Sequence, residues 1–147
     1  MATRTPTVVG QCAMDPLADL LIDGRELDRE LVGAVLRPYL RIDRHTAEVI
    51  PLPAWDAAPT EVRVLLYLLA RRAMRALDLP PVAGAAASPV QIARATGIPG
   101  GSVRPALKRL LRAGVVAKPD RVGYIVPNYA MSRVREYIRP RSPEFAA

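Results

Sequence analysis

The chain has 147 residues and half of them are apolar, which is enough to bury one core and excludes a mainly disordered protein. Its longest apolar run, Val64–Ala70, is far shorter than the roughly 18 residues of a membrane helix, and residues 1–6 lack a signal-peptide core. A single cysteine and a single histidine exclude an internal disulfide and a Cys/His zinc cluster. With a formal net charge of +7, these features predict a soluble, cytoplasmic protein with no metal, no cofactor and no membrane partner.

The first part of the chain carries signals for two short helices. Residues 1–14 show no periodicity and are expected to be disordered. Asp15-Pro16 is typical of a helix start and predicts a short helix through Ile22. A second helix is expected from Glu26 to Leu36, ended by Pro38.

Two short runs that favour β structure flank a polar turn in residues 39–52. They predict a β-hairpin with Ile42 and Val49 on one face. Residues 53–59 are expected to form a connecting loop, in which Trp55 covers the core.

The most apolar segment predicts a long and largely buried helix, with Thr60 as its N-cap and Leu77 near its end. The predicted buried face comprises Val62, Leu65, Leu66, Leu69, Ala73 and Leu77. The predicted solvent side carries Arg63, Arg71, Arg72 and Arg75. The low-complexity stretch from Leu79 to Ala87 that follows predicts a flexible loop.

A pair of helices joined by a glycine turn is expected next. Ser88 and Gln91 have the spacing of a capping box, and Pro89 stands at the first helical position. Gly97 is expected to end this helix with a positive φ, and Ile98 then turns into the core. This spacing fits a helix-turn-helix.

The second helix of this pair is expected to begin late because it contains Pro105. Proline lacks the N–H of the i→i−4 hydrogen bond, so only the first helical turn tolerates it. A helix starting at Pro99 would place Pro105 about two turns inside, at a cost of ~3 kcal/mol. We therefore expect Ser102 to be the N-cap of a helix that runs to Ala113.

Two short strands, 115–117 and 122–126, are expected to pair through a turn from Lys118 to Arg121. Asn128 is expected to cap a last helix from Tyr129 to about Arg139, and a flexible tail follows at 140–147. The apolar stripe of this helix either packs on the same chain or forms a homodimer contact, and its members are Met131, Val134 and Ile138.

The stretch from Thr60 to Val126 resembles the winged helix-turn-helix domains of bacterial and archaeal transcriptional regulators. The likeness is carried by Gln91-Ile-Ala-Arg-Ala-Thr-Gly-Ile98, by Ser102-Val-Arg104, and by the run Ala113-Gly-Val-Val116; the GntR-like group is one close comparison. It implies a mainly α fold with short β-hairpins, an α+β class. The expected division is an extension of helices and a hairpin at 15–58, the winged helix-turn-helix at 59–127 and the C-terminal helix at 128–139.

The resemblance implies binding of double-stranded DNA by a nucleoid-associated regulator, often a homodimer. The helix from Ser102 to Ala113 lies in the major groove in such families, and the hairpin from Lys118 to Arg121 touches the backbone or the minor groove. Charge favours the same partner, because residues 90–147 carry 11 Lys and Arg against 3 Asp and Glu. Residues 1–89 carry 10 against 11, so a general bias toward arginine does not explain the asymmetry.

The candidate DNA contacts differ in what they are able to reach. Ser102, Arg104 and Lys108 are expected to read bases, since the family's usual reading positions hold Pro99, Gly100 and Gly101 here. The backbones of both glycines suit close approach to a phosphate. The remaining candidates, mainly for phosphates, are Gln91, Arg94, Arg109, Arg112, Lys118 and Arg121.

Other functions stay open at this point. A winged helix also serves as a protein-docking module, and the same fold serves replication, partition and mobile-element proteins that bind DNA. An enzyme is not expected, because the chain has no Gly-rich phosphate loop, no metal set and no nucleophile motif. His45 is expected to be a solvated turn residue rather than a catalytic base.

Overall fold

A computed structural model describes residues 15–21, 27–79, 84–121 and 123–139. These residues form six α-helices and a two-stranded antiparallel sheet, so the expected mainly helical α+β class is confirmed. The helices are α1 (Arg29–Leu36), α2 (Pro53–Ala57), α3 (Thr60–Ala76), α4 (Pro89–Thr96), α5 (Gly100–Ala113) and α6 (Met131–Ile138). The strands are β1 (Leu40–Ile42) and β2 (Val49–Pro51), and short 3₁₀ helices lie at Ala18–Leu20 and Asn128–Ala130.

The central element is α3, because apolar residues surround most of it. All seven residues of Val64–Ala70 are buried, together with Val62 and Met74. Helices α1, α4 and α5 all pack against α3. Burial of this apolar surface supplies the main driving force for folding.

The C-terminal helix α6 packs on α1. Its stripe of Met131, Val134 and Ile138 is at most 4% exposed. Packing on the same chain, one of the two alternatives for this stripe, is therefore confirmed, and these side chains are not available for a homodimer contact.

The β-hairpin forms as predicted, with Ile42 paired to Val49. Its turn is held by Asp43, whose Oδ1 accepts hydrogen bonds from the backbone amides of His45 at 2.8 Å and Thr46 at 3.2 Å. These two bonds, the His45 amide first, lower the pKa of Asp43 because they stabilise the carboxylate. His45 itself is exposed in this turn, as expected.

Both predicted N-terminal helices are shorter than expected. The first is reduced to the 3₁₀ helix Ala18–Leu20, because Leu21 already has an extended backbone. The second begins at Arg29, because the side chain of Asp28 accepts a hydrogen bond from the Leu31 amide at 3.1 Å and so caps the helix there. Ile22 and Glu26, the predicted limits, lie outside the described residues.

The predicted loop at 53–59 is wrong, since Pro53–Ala57 is a short helix with proline in its first turn. Trp55 is buried against the core, as expected. The N-cap of α3 is Pro59, so Thr60 is helical and does not cap. Leu77, predicted to be buried, follows the last residue of α3 and is 57% exposed.

Arg71 holds the segment before α4 in place. Its guanidinium donates hydrogen bonds to the carbonyl oxygens of Gly84 at 2.6 Å, Ala85 at 3.3 Å and Ala86 at 3.0 Å. It also donates to the hydroxyl of Tyr67 at 3.2 Å. The prediction of a solvated Arg71 is therefore wrong. Residues 84–86 form a loop, as predicted, and 80–83 lie outside the described chain.

Arg72 is half-buried as well and donates a hydrogen bond to Oδ1 of Asn128. Burial lowers the pKa of Arg72. Asn128 was expected to cap the last helix, but its side chain is used by this contact. The backbone instead forms a 3₁₀ helix after Pro127, and α6 begins at Met131.

The capping box before α4 is confirmed. The Ser88 amide donates to Oε1 of Gln91 at 2.8 Å, and the Gln91 amide donates to Oγ of Ser88 at 3.2 Å. Gly97 ends α4 with a φ of 76°, and Ile98 is buried, as predicted.

Replacing Ser88 with alanine is expected to lower the free energy of unfolding by about 1 kcal/mol, because one orphan amide of α4 loses its acceptor. Urea denaturation followed by circular dichroism measures this change. The control is Ser132→Ala, since Ser132 is exposed in α6 and its loss is expected to change stability by less than about 0.5 kcal/mol. Equal effects of the two substitutions would contradict a stabilising capping box.

Helix α5 begins at Gly100, two residues before the predicted N-cap Ser102. The amides of Ser102 and Val103 both donate to the Pro99 carbonyl, at 2.9 and 3.1 Å, which makes Pro99 the cap. Pro105 therefore lies inside the helix. The hydrogen bond it cannot make would reach the carbonyl of Gly101, and both residues are exposed, so water can solvate that carbonyl.

The strands predicted after α5 are reduced to isolated bridges. Ala117 pairs with Ile125, and Ala87 pairs with Tyr124, both antiparallel. Each bridge has two backbone hydrogen bonds of 2.8 to 3.0 Å. Tyr124–Ile125 thus connects the segment before α4 to the segment after α5, without the longer strands expected at 115–117 and 122–126; Val122 lies outside the described residues.

Candidate functional site

Helix α5 turns one apolar face to the core and one cationic face to solvent. Val103, Ala106, Leu107 and Leu110 are buried. Arg104, Lys108 and Arg112 follow one another at intervals of four residues, so they form a row along the exposed side. All three are exposed, and none of their side chains makes a hydrogen bond or ion pair within the described part of the chain.

The start of α5 has an open backbone. Gly100 and Gly101 are exposed, and a Cβ added to either would meet no atom within 4 Å. Ser102 is exposed beside them and, contrary to expectation, is not the helix cap. The backbone at Gly100 and Gly101 is therefore open to the approach of a bound group at the start of α5.

A groove of about 400 Å³ lies between α4 and the start of α5. It brings the predicted contacts Arg94 and Arg104 to one site, and both side chains are exposed. Its apolar wall is formed by Pro89, Val90, Ala93, Ile98 and Pro99. Gln91 is exposed but its Oε1 is already used by the capping box, so its predicted contact role competes with a structural one.

Arg109 differs from the other cations of α5 because it is paired. Its Nε lies 3.3 Å from Oε2 of Glu61 at the start of α3. The hydroxyl of Tyr137 in α6 donates to the same oxygen at 2.5 Å. Glu61 of α3 therefore joins α5 through Arg109 and α6 through Tyr137, contacts that no local pattern indicated because Glu61 lies 48 residues from Arg109.

The loop between Ala117 and Tyr124 carries the last two predicted contacts, Lys118 and Arg121, and both are exposed. The Lys118 ammonium lies 5.2 Å from the centre of the Tyr124 ring. Oδ1 of Asp120 accepts a hydrogen bond from the Gly123 amide at 2.6 Å. Gly123 is buried, and a Cβ there would lie 2.8 Å from Cβ of Ala86, so only glycine fits this close approach.

The site offers cations and backbone amides, which are groups that hold an anionic partner, beside an apolar wall. Among the residues that the structure describes, no group of three or more His, Cys, Asp or Glu side chains is placed to hold a metal ion. No helix within these residues is both long and apolar enough to cross a membrane. Comparison with protein-family models, curated proteins and solved structures found no match to this chain.

Proposed function

We propose that this protein is a winged helix-turn-helix regulator that binds double-stranded DNA with α5 in the major groove. The observation that carries the proposal is the exposed row of Arg104, Lys108 and Arg112, three cations with no partner in the described chain. Phosphates and the base edges of guanine are the acceptors that such side chains bind in DNA.

The order of elements supports this assignment. Helix α3 is followed by the bridge residue Ala87, by the pair α4 and α5, and then by the bridge between Ala117 and Ile125. A winged helix-turn-helix has this same order, in which the loop between the last two bridge residues is the wing. Lys118 and Arg121 lie on that loop and are assigned to the DNA backbone.

The proposed DNA contacts are of two kinds: contacts to bases, which read the sequence, and contacts to phosphates, which position the protein on the duplex. Arg104 is assigned to bases because it projects from the first half of α5, and Lys108 because it follows one turn later on the same exposed side. Arg112, Arg94 and the amides at Gly100 and Gly101 are assigned to phosphates. Arg109 contributes less to DNA affinity than its charge indicates, because its guanidinium is already paired with the Glu61 carboxylate. No catalytic step is assigned to any residue of the chain.

Fluorescence anisotropy with a generic duplex of about 30 base pairs tests the proposal directly. We expect affinity to fall by about a thousandfold or more between roughly 50 and 200 mM salt, because several phosphate contacts release counterions. Selection from random DNA then identifies the preferred site. Absence of binding at about 50 mM salt would overturn the proposal in favour of a protein-docking role.

Replacing Gly101 with alanine separates stability from DNA binding. The added Cβ meets no atom of the protein, so we expect the free energy of unfolding to rise by about 0.5–1 kcal/mol. The same methyl group stands between the helix start and a phosphate, so we expect duplex affinity to fall several-fold. Thermal denaturation and anisotropy measure the two effects.

Gly33→Ala is the matched control for this substitution, because Gly33 lies inside α1 and outside the candidate site. It is expected to raise stability without changing duplex affinity, since an added Cβ there makes only an ordinary contact with Arg37. Equal DNA affinities of the two variants would contradict close approach of a phosphate to Gly101.

A further inference from the structure

Residues 15–21 present three leucines to solvent. Leu17, Leu20 and Leu21 are 66%, 76% and 73% exposed. Leu17 and Leu20 are three residues apart, a spacing that places two side chains on the same side of a 3₁₀ turn, and Leu21 follows directly. Asp15 and Asp19 are exposed in the same segment. Oδ1 of Asp15 accepts a hydrogen bond from the Leu17 amide at 2.9 Å, whereas the Asp19 carboxylate has no partner among the described residues.

A groove of about 380 Å³ with the opposite character lies between α1, β1 and the end of α3. Its apolar surface is formed mainly by Leu27, Val32, Leu36, Leu40, Ile42 and Leu77. Three arginines, Arg29, Arg37 and Arg41, also line it, and no acid does so within the described chain. The groove is therefore apolar inside and cationic at its edge.

The three arginines are not equally free. Arg29 donates to the Ala76 carbonyl at 2.8 Å, and Arg41 donates to the Leu40 carbonyl at 2.9 Å. The carbonyl of Arg37 accepts a hydrogen bond from Nη1 of Arg41 at 2.5 Å, whereas the Arg37 guanidinium makes no hydrogen bond or ion pair with any described residue. Its Nη2 lies 3.7 Å from the position of a Cβ on Gly33, so this guanidinium rests over α1 at the groove wall.

We propose that the leucine segment, residues 15–21, of one copy fills this groove on a second copy, so that two copies exchange segments in a symmetric homodimer. The leucines are exposed, so they are not seated in the groove of their own chain. The apolar and charged features of the segment match those of the groove, with Asp19 facing Arg37. Each copy carries one leucine segment and one groove. A single two-fold exchange therefore covers both segments and both grooves of the dimer. This interface does not depend on the proposed DNA binding.

Sedimentation equilibrium of the full chain over about a hundredfold range of concentration tests the exchange. We expect a dimer, and we expect Leu20→Asp with Leu21→Asp to raise its dissociation constant by at least about a hundredfold, because two apolar contacts are lost per copy. Tyr129→Asp is the control, since Tyr129 is 69% exposed outside both surfaces and its replacement is expected to leave the dimer unchanged. Unchanged circular dichroism verifies that each variant is folded.

A charge exchange identifies the groove as the receiving surface. Asp19→Arg alone and Arg37→Asp alone are each expected to weaken the dimer about tenfold, and the double variant is expected to recover most of that loss. A monomer at every concentration would overturn the proposal. Docking of each segment on its own chain would give such a monomer, so it would overturn the proposal as well. A dimer that resists the leucine substitutions, or whose two charge effects simply add, would also overturn it.

Discussion

Alanine at both Arg104 and Lys108 is expected to weaken binding to a DNA duplex roughly a hundredfold, with the melting temperature of the protein unchanged. Both side chains are exposed and neither makes a hydrogen bond or ion pair with another described residue, so we expect their removal to leave the fold stable. The slope of log affinity against log salt separates base contacts from phosphate contacts, because it falls by about 1.8 if both side chains contact phosphates and by less if they contact bases. Anisotropy titrations and thermal denaturation of the double variant measure the three quantities.

Arg44→Ala with Arg75→Ala is the matched control for this pair. Both arginines are exposed and lie outside α5 and its groove, so the control removes the same net charge from other surfaces. Its effect on affinity is expected to be only a few-fold, through the general field of the protein. Similar losses in the two double variants would contradict the assignment of α5, and a matched loss of stability would make Arg104 and Lys108 structural.

Arg71→Ala is expected to lower the free energy of unfolding by about 2–4 kcal/mol, the largest stability effect that we expect from a single charged residue here. Four hydrogen bonds are lost at once, and in three of them the Arg71 guanidinium donates to carbonyl oxygens in the segment before α4. These oxygens lie in half-buried residues, where water replaces the arginine only partly. Urea denaturation measures the change.

Arg71→Lys separates the geometry of the guanidinium from its charge. A lysine ammonium keeps the charge but lacks the planar fork that reaches several carbonyls, so we expect it to recover less than half of the loss. Arg75→Ala, one turn further along α3 and exposed, is expected to change stability by less than about 0.5 kcal/mol. Full recovery by lysine would mean that charge alone, and not the set of hydrogen bonds, holds the segment.

Local patterns in the sequence predicted several features of the fold correctly. The alternating apolar residues around Ile42 and Val49 predicted the hairpin, and the spacing of Ser88 and Gln91 predicted the capping box. Gly97 was expected to have a positive φ, and it does. Each of these features depends on residues within about ten positions of one another, where backbone geometry leaves few alternatives.

The same local rules failed where distant residues compensate for an unfavourable local choice. Pro105 predicted a late helix start, yet α5 begins at Gly100, because the buried face of α5 packs on α3 and α4 and an exposed carbonyl tolerates the missing bond. The predicted loop includes residues 84–86, whose carbonyl oxygens accept hydrogen bonds from Arg71, and no local pattern links this segment to Arg71 because that residue lies in another element. Propensity is a weak predictor at such positions, because tertiary packing outweighs it.

The candidate site likewise has features that the sequence predicted and features that only the structure shows. The sequence predicted Arg104, Lys108 and Arg112 as contact residues of this helix, and the structure places all three on its exposed side, opposite the buried apolar face. Only the tertiary structure decided that Arg109 pairs with Glu61, that Arg94 and Arg104 share a groove, and that the stripe of α6 is buried on α1. Sequence by itself determined which faces are apolar and which are charged, since that follows from the helical and strand periods. Which faces meet is set by packing among elements far apart in the chain, and no local period contains that information.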